Sequence, residues 1–386
     1  MNLPVIPSVL IDKLKIDILE SLSRQGFRVK GEHIYMPENP TKNDFRNLNN
    51  LAMEKKLKKS GPGVKRFEKK LIQYIANGNE VVPEKIQPKL IVVQRESEHE
   101  LLFRYACLHW SIPVSSGYGR RLRFLVFDEN NGKLIGLFGL GDPVYSMRAR
   151  DRWIGWDRLT KANHLYHTMD AFVLGAVPPY SFLLCGKLVA LLVCCNEVRN
   201  EFYNKYKDRT TFIRQKKRQP YLALVTTTSA LGRSSIYNRL RANNQQYWVS
   251  IGFTQGSGEF HFSNGVYDDI RTFVEEYCKP TAKHQSWGTG FRNKREIIRK
   301  CLAALGLSAN LIYHGINREL FAAPLAADSI KFLNSEVETP CFYDRPAAKI
   351  GDIFKERWLL KRAAHNHEYS SFSREQYQLW PPNLLS

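Results

Sequence analysis

No two of the seven cysteines (Cys107, Cys185, Cys194, Cys195, Cys278, Cys301 and Cys341) form a Cys-x-x-Cys pair. A zinc ribbon needs thiolates at that spacing, so none is expected. An odd, scattered set fits reduced thiols and hence a cytoplasmic protein. No apolar run reaches the roughly 20 residues that cross a bilayer. The longest, 182–195, is broken by Gly186 and Lys187. The first ten residues lack a basic stretch followed by an apolar one, so no secretory leader is expected. There is no internal repeat, low-complexity tail, helix-turn-helix or zinc-finger spacing, and no P-loop or full dinucleotide fingerprint. Acidic residues are scarce: 37 Asp and Glu stand against 57 Lys and Arg, a net charge of +20.

What is present supports a folded core. Hydrophobic residues make up 43% of the 386, enough for one large domain or two. Leu10, Leu14, Ile18 and Leu22 recur every four residues, which predicts an amphipathic helix over 8–25. Thr41 is placed to cap a second helix through Leu48, Leu51 and Met53, and Gly61-Pro62-Gly63 ends it. A third follows with Val64, Phe67, Leu71, Ile72 and Ile75 on one face. Residues 1–88 thus read as an N-terminal helical unit.

The period then changes. Leu122–Phe127 and Leu134–Leu140 flank an Asn131-Gly132 turn, a strong hairpin signal. Ala171–Val177 reads as a strand closed by Pro178-Pro179, and a long buried helix is expected from Ser181 to about Tyr206. Pro220–Thr227 reads as a strand, Ser234–Arg241 as a short helix, and Trp248–Phe253 and Glu259–Phe262 as closing strands. This order predicts an α+β fold with a central mixed, mostly antiparallel sheet and packed helices over 89–264. Residues 265–386 form a C-terminal extension, with helices at Arg292–Leu305 and Gly351–Ala364 and irregular chain between them.

The positive charge is clustered. Residues 42–70 carry a net +7, residues 199–218 a net +6 and residues 283–300 a net +5. Clustering of one sign is the electrostatic footprint of a phosphate-backbone partner. Lys55, Lys56, Lys58, Lys59, Arg214, Lys216, Lys217, Arg218, Arg292, Lys294 and Arg295 are the candidate nucleic-acid contacts. Charge runs are also commonly plain solvated helix faces. Phe202, Tyr203, Tyr206, Phe212 and Tyr221, in or beside the second cluster, either stack on bases or anchor the core.

The stretch Ala149–Trp156 sets three charged side chains against two tryptophans. Arg148, Arg150, Asp151, Arg152, Trp153 and Trp156 are therefore candidate ligand-binding residues. Two readings stand side by side. Either Asp151 pairs with a neighbouring arginine to fix the loop, or Arg150 or Arg152 is free to grip an anion. Asp142 and Asp157 lie near enough in sequence to suggest an acidic metal pair and a nuclease. His164 and His167 sit about one helical turn apart, which suits a metal only with further ligands. The Gly- and Arg-rich segment 115–121 reads first as a tight loop before a strand. No cofactor is expected.

From Leu90 to about Phe262 the sequence resembles the Druantia anti-phage defence family, specifically its A component. The carrying residues are Leu122–Asp128, Leu134-Ile135-Gly136, Ala149–Trp156, Phe172–Pro178, Ser234–Tyr237, Trp248 and Ile251–Gly256. The resemblance implies antiviral defence alongside a large helicase-like partner and smaller companions, while DNA or RNA as a partner is the expectation of the basic clusters. The same segment is more loosely similar to the Gcn5-type acyltransferase sandwich, through Tyr237 and Trp248–Phe253. That likeness implies a coenzyme A carrier. Such enzymes hold pyrophosphate on a Gly-x-Gly loop, whereas Gly186 has no glycine two residues away.

Overall fold

The structure is a computed structural model of the whole chain, and describes residues 4–36, 40–112, 114, 119–210, 219–232, 234–238, 240–242, 244–263, 266–281, 287 and 291–381. Helix α1 (Ser8–Arg24) buries Leu14, Ile18 and Leu22 on its predicted stripe. A small hairpin follows, β1 (Arg28–Lys30) with β2 (His33–Tyr35). Helix α2 (Lys42–Ser60) starts at Thr41, whose hydroxyl accepts from Asp44 N while Asp44 accepts from Thr41 N. This reciprocal box satisfies two otherwise orphaned amides. The third helix is present only in pieces, as α3 (Pro62–Lys65), α4 (Glu68–Leu71) and a single 3-10 turn.

Strand β3 (Pro88–Val92) leads into α5 (Glu98–Cys107). The expected hairpin is β4 (Arg121–Asp128) and β5 (Lys133–Gly141). Gly132 takes the φ of +69° that its turn requires. Two short helices, α6 (Arg148–Ile154) and α7 (Arg158–His164), precede β6 (Thr168–Ala176). The long helix expected from Ser181 is instead a 3-10 turn, α8 (Cys185–Leu192) and α9 (Asn196–Tyr206). Leu184 in the left-handed region and Cys195 in extended backbone break it. The apolar run fixed burial, not direction.

Next come β7 (Leu224–Thr228), the hairpin of β8 (Arg241–Ala242) and β9 (Gln245–Gln246), and β10 (Val249–Phe253). The helix expected over Ser234–Arg241 is absent among the described residues: 235–238 form a turn before β8. The strand expected at Glu259–Phe262 is a helical turn, α10 (Phe260–Ser263). His261 and Phe262 are both buried, so no solvent face exists to support strand alternation. Helices α11 (Tyr267–Tyr277) and α12 (Phe291–Ala304) pack together and share one apolar cluster with α1.

The chain between the two C-terminal helices is not irregular. It contains β11 (Glu319–Pro324), which lies in the main sheet between β7 and β10. The seven strands run in the order β10-β11-β7-β6-β5-β4-β3. Every neighbour pair is antiparallel except β6 with β7. The predicted α+β class and mixed, mostly antiparallel sheet are observed. Helix α13 (Ser329–Leu333), α14 (Ala347–Phe354), a π-turn and α15 (Leu360–His365) follow, and then two 3-10 turns at Glu368–Ser371 and Arg374–Tyr377.

Both faces of the sheet are covered. Helices α8, α9 and α14 pack with Phe124, Phe138 and Phe321 in one cluster. Helix α5 packs with Leu125, Leu137 and Val173 in another. Two-sided burial explains why β4 and β5 are continuous apolar runs.

Without β11, β7 and β10 lose their shared partner and Phe321 its place in the core. A chain ended at residue 264 is therefore expected to unfold without a cooperative transition in urea, while the full chain unfolds cooperatively. A sharp transition in the short chain would contradict this topology.

Candidate nucleic-acid interface

Helix α6 sorts its arginines by period. Arg148 and Arg152, four residues apart, share one face and are exposed, whereas Arg150 points the other way and is fully buried. Its guanidinium donates from Nε and Nη2 to Asp151 Oδ1 at 2.9 and 2.6 Å. It also donates to the carbonyls of Val144 (2.9 Å) and Tyr145 (3.1 Å). The group lies 5.5 Å from the Trp156 ring. Lys161 Nζ reaches the other Asp151 oxygen at 3.0 Å. Asp151 is thus pressed between two cations, and Arg150 holds the segment before α6 in place.

The C-terminal end of α6 is fixed as firmly. Gly155, at φ +86°, ends the helix with its amide on Asp151 O. Trp156 Nε1 donates to Leu333 O at 2.8 Å, and Asn334 Nδ2 donates to Ile154 O at 2.8 Å. The outward face, meanwhile, borders a groove of about 490 Å3. Arg148, Arg152 and Trp153 form one wall, and Phe253 and Gln255 of the β10 end form the other. A bulge at Gly252 (φ +119°) brings Ala149 against the strand. Phe253 is 45% exposed, so an aromatic surface stands open opposite the arginines. Phe253 and Gln255 were missed as site residues. Their signal was the aromatic, polar end of an edge strand.

Asp170, on β6, lies within the electrostatic reach of Arg150. Burial raises its carboxyl to about 6, against the opposing pull of the Thr226 hydroxyl, 2.9 Å away, and the Arg150 charge.

The first and third charge clusters meet. Lys55 Nζ lies 2.7 Å from Asp268 on α11. That Lys55 contact, with the charges of Lys294 and Lys59, holds the Asp268 carboxyl below its ordinary range. Burial lowers the Lys294 ammonium, which sits 4.5 Å from the Tyr267 ring. Lys58 is exposed on the same helix as Lys55 and Lys59. Arg295 instead turns to the buried Glu259, and Lys56 donates inward to Val114 O at 2.6 Å. Arg292 stands near the start of α12. Arg214, Lys216, Lys217 and Arg218 lie outside the described residues. Phe202 and Tyr206 are core residues, while Tyr203 is exposed.

The remaining sequence candidates have structural partners. Asp142 pairs with Arg120 at 2.7 Å, and Asp157 caps α7 by accepting from Thr160 N. His164 contacts Ser335 Oγ, and His167 contacts Tyr221 O. No group of three or more His, Cys, Asp or Glu among the described residues suits a metal ion. Burial pushes the Cys194 thiol up to about 12. At the start of α8, Lys187 donates to the carbonyls of Ser235 and Ile236, and the Ile236 side chain covers Gly186. No described helix is long and apolar enough to cross a membrane.

The family model for the Druantia protein DruA matches residues 39–335. The Druantia protein DruA of Escherichia coli (strain UMEA 4076-1) is 39% identical over 370 residues, which cover 94% of this chain and 92% of that protein. The chain belongs to the Druantia protein DruA family. It is thereby a component of a Druantia-type defence system. No solved structure matches it, so the acyltransferase likeness gains no support at the level of fold. The family match spans α2, both walls of the groove and β11.

Two stability outcomes follow from the geometry. Asp151→Ala leaves the buried Arg150 without its carboxylate and is expected to cost about 3–5 kcal/mol in denaturant unfolding. Arg152→Ala, on the exposed face, should change stability by only about 0.5 kcal/mol. Equal losses would refute the inward and outward assignment. Asp170 gives a pH signature. Its carboxyl titrates near 3.8 when unfolded and near 6 when folded, so the native state holds the proton more tightly. The stabilisation is complete below about pH 4 and is lost as pH rises through 6. Asp170→Asn should flatten that fall in thermal melts taken across the window.

Proposed function

We propose that this chain is the nucleic-acid-engaging subunit of a Druantia anti-phage system, acting with partner proteins that include a large helicase-like one. One observation carries the reading: lysines from α2 and α12, more than 200 residues apart in sequence, gather around Asp268. Like charges repel, so a fold that collects them favours a polyanion nearby. The α6 groove supplies a second contact of the kind that single strands use. Arg148 and Arg152 stand one turn apart to meet successive phosphates, and Trp153 and Phe253 offer rings on which bases stack. Arg150 and Asp151 act from behind as positioning residues, and Trp156 anchors the helix end. The site takes DNA or RNA.

Binding to a labelled single strand should fall steeply with salt, because each phosphate contact releases counterions worth about 0.7 in the log–log slope. Reversing Lys55, Lys59 and Lys294 together to Glu should weaken binding at least tenfold in a mobility-shift titration and flatten that slope. Arg148→Glu with Arg152→Glu should do likewise. A salt-independent affinity, or one untouched by both sets, would overturn the reading.

A further inference from the structure

A second cavity, of about 360 Å3, lies between α2, α5 and the sheet. Its volume is at the lower end of the range for small-molecule sites and too small for a duplex. Four cationic side chains line it against a single carboxylate, Glu100. Glu100 is already committed. It lies 2.7 Å from Arg123 Nη1 and accepts from Glu96 N at 2.7 Å. Lys56 and Arg104 have no ion pair with any described residue. Lys56 spends one N–H on Val114 O at 2.6 Å, and burial already draws its ammonium below the ordinary lysine range. An ammonium half-removed from water without a counter-charge is costly, and a bound anion offsets that cost.

The opposite character is built in beside it. Phe103 is buried in the wall, and Phe172 is part-exposed. The Phe172 ring occupies the space above Gly139 and Gly141 of β5. A Cβ at Gly139 would stand 2.4 Å from the ring, so only glycine leaves the seat open. A part-exposed aromatic ring beside Lys56, which has no ion pair, and Arg104, which feels the Glu100 charge only at longer range, calls for a ligand that is flat and apolar at one end and anionic at the other.

We propose that this cavity binds one nucleotide, its base against Phe172 and its phosphate at Lys56 and Arg104. Base–aromatic stacking and a charge-assisted phosphate contact are both available there. The nucleotide comes either free or as the end of a strand, since the recognised chemistry is the same. The site is separate from the Lys55–Lys59–Lys294 ridge. On α2, Lys55 and Lys59 share one side, while Lys56 and Ser60 share the side that lines the cavity.

Titration calorimetry of the full chain with the four ribonucleoside monophosphates tests this. Saturable heat is expected for at least one of them. Binding of adenosine or of ribose 5-phosphate, each half of the ligand, should be at least tenfold weaker than that of the intact nucleotide. Lys56→Met and Arg104→Glu should each lower affinity at least tenfold. Arg104 is exposed, so its substitution keeps the test valid if Lys56→Met fails to fold. Should free nucleotides stay silent while a short 5′-phosphorylated single strand binds and loses that binding in Arg104→Glu, the strand end is the source. Silence with both ligands overturns the proposal, as does binding indifferent to Arg104→Glu.

Discussion

Burying the guanidinium of Arg150 imposes a constraint that reaches across the molecule. A charge in a dry interior is tolerable only when its donors are met. Here they are met by two carbonyls before α6 and by the Asp151 carboxylate. Satisfying them fixes where α6 lies and which way it is turned. The same seven-residue helix then has no freedom to hide Arg148 and Arg152. Its far end is tied to Leu333 and Asn334, which follow β11 in the chain. One buried ion pair therefore links the groove, the sheet and the C-terminal third.

The excess of positive charge is divided by the fold into two populations. Some arginines are spent inside, laid over aromatic rings. Arg120 lies 4.3 Å from the Tyr166 ring, Arg199 lies 4.3 Å from Phe342, and Arg345 sits between Tyr247 and Tyr343 at 4.0 and 4.1 Å. Weakly hydrated, planar guanidinium suits that use. Lys55, Lys58 and Lys59 of α2 remain outside, because an ammonium is strongly hydrated. Net charge alone thus overstates what a polyanion meets, and its distribution by residue type is the better guide.

Legibility followed the local physics. The Thr41 cap, the Asn131-Gly132 hairpin and the α1 stripe were readable because each depends on residues only a few positions apart. Strand β11 was not. Its segment Glu319-Leu-Phe-Ala-Ala-Pro324 is buried on both faces, so it shows no alternation, and its pairing partners begin some 65 or more residues earlier in the chain. The break at Cys195 was hidden for a related reason: an unbroken apolar run says that chain is buried, not where it turns. At the site, the residues 148–156 were legible as special, but their division was not. Once the segment is known to be helical, the i,i+4 relation of Arg148 and Arg152 separates them from Arg150. The meeting of the first and third basic clusters depends on α2 packing near α11 and α12, which nothing local encodes.

Helix α2 shows how one element serves two surfaces. In sequence its lysines read as one basic cluster, yet the fold divides them. Lys55 and Lys59 face Asp268, and Lys56, one residue on, turns toward α5 and the sheet. A helix turns about 100° per residue, so adjacent lysines cannot share a face. A run of like charge on a helix fixed to a core must therefore send some members inward. Those members either find carboxylates or leave a positive wall. Arg123 found Glu100 and Arg295 found Glu259. Lys56 found only a carbonyl, and that shortfall of one negative charge distinguishes its cavity from ordinary packing.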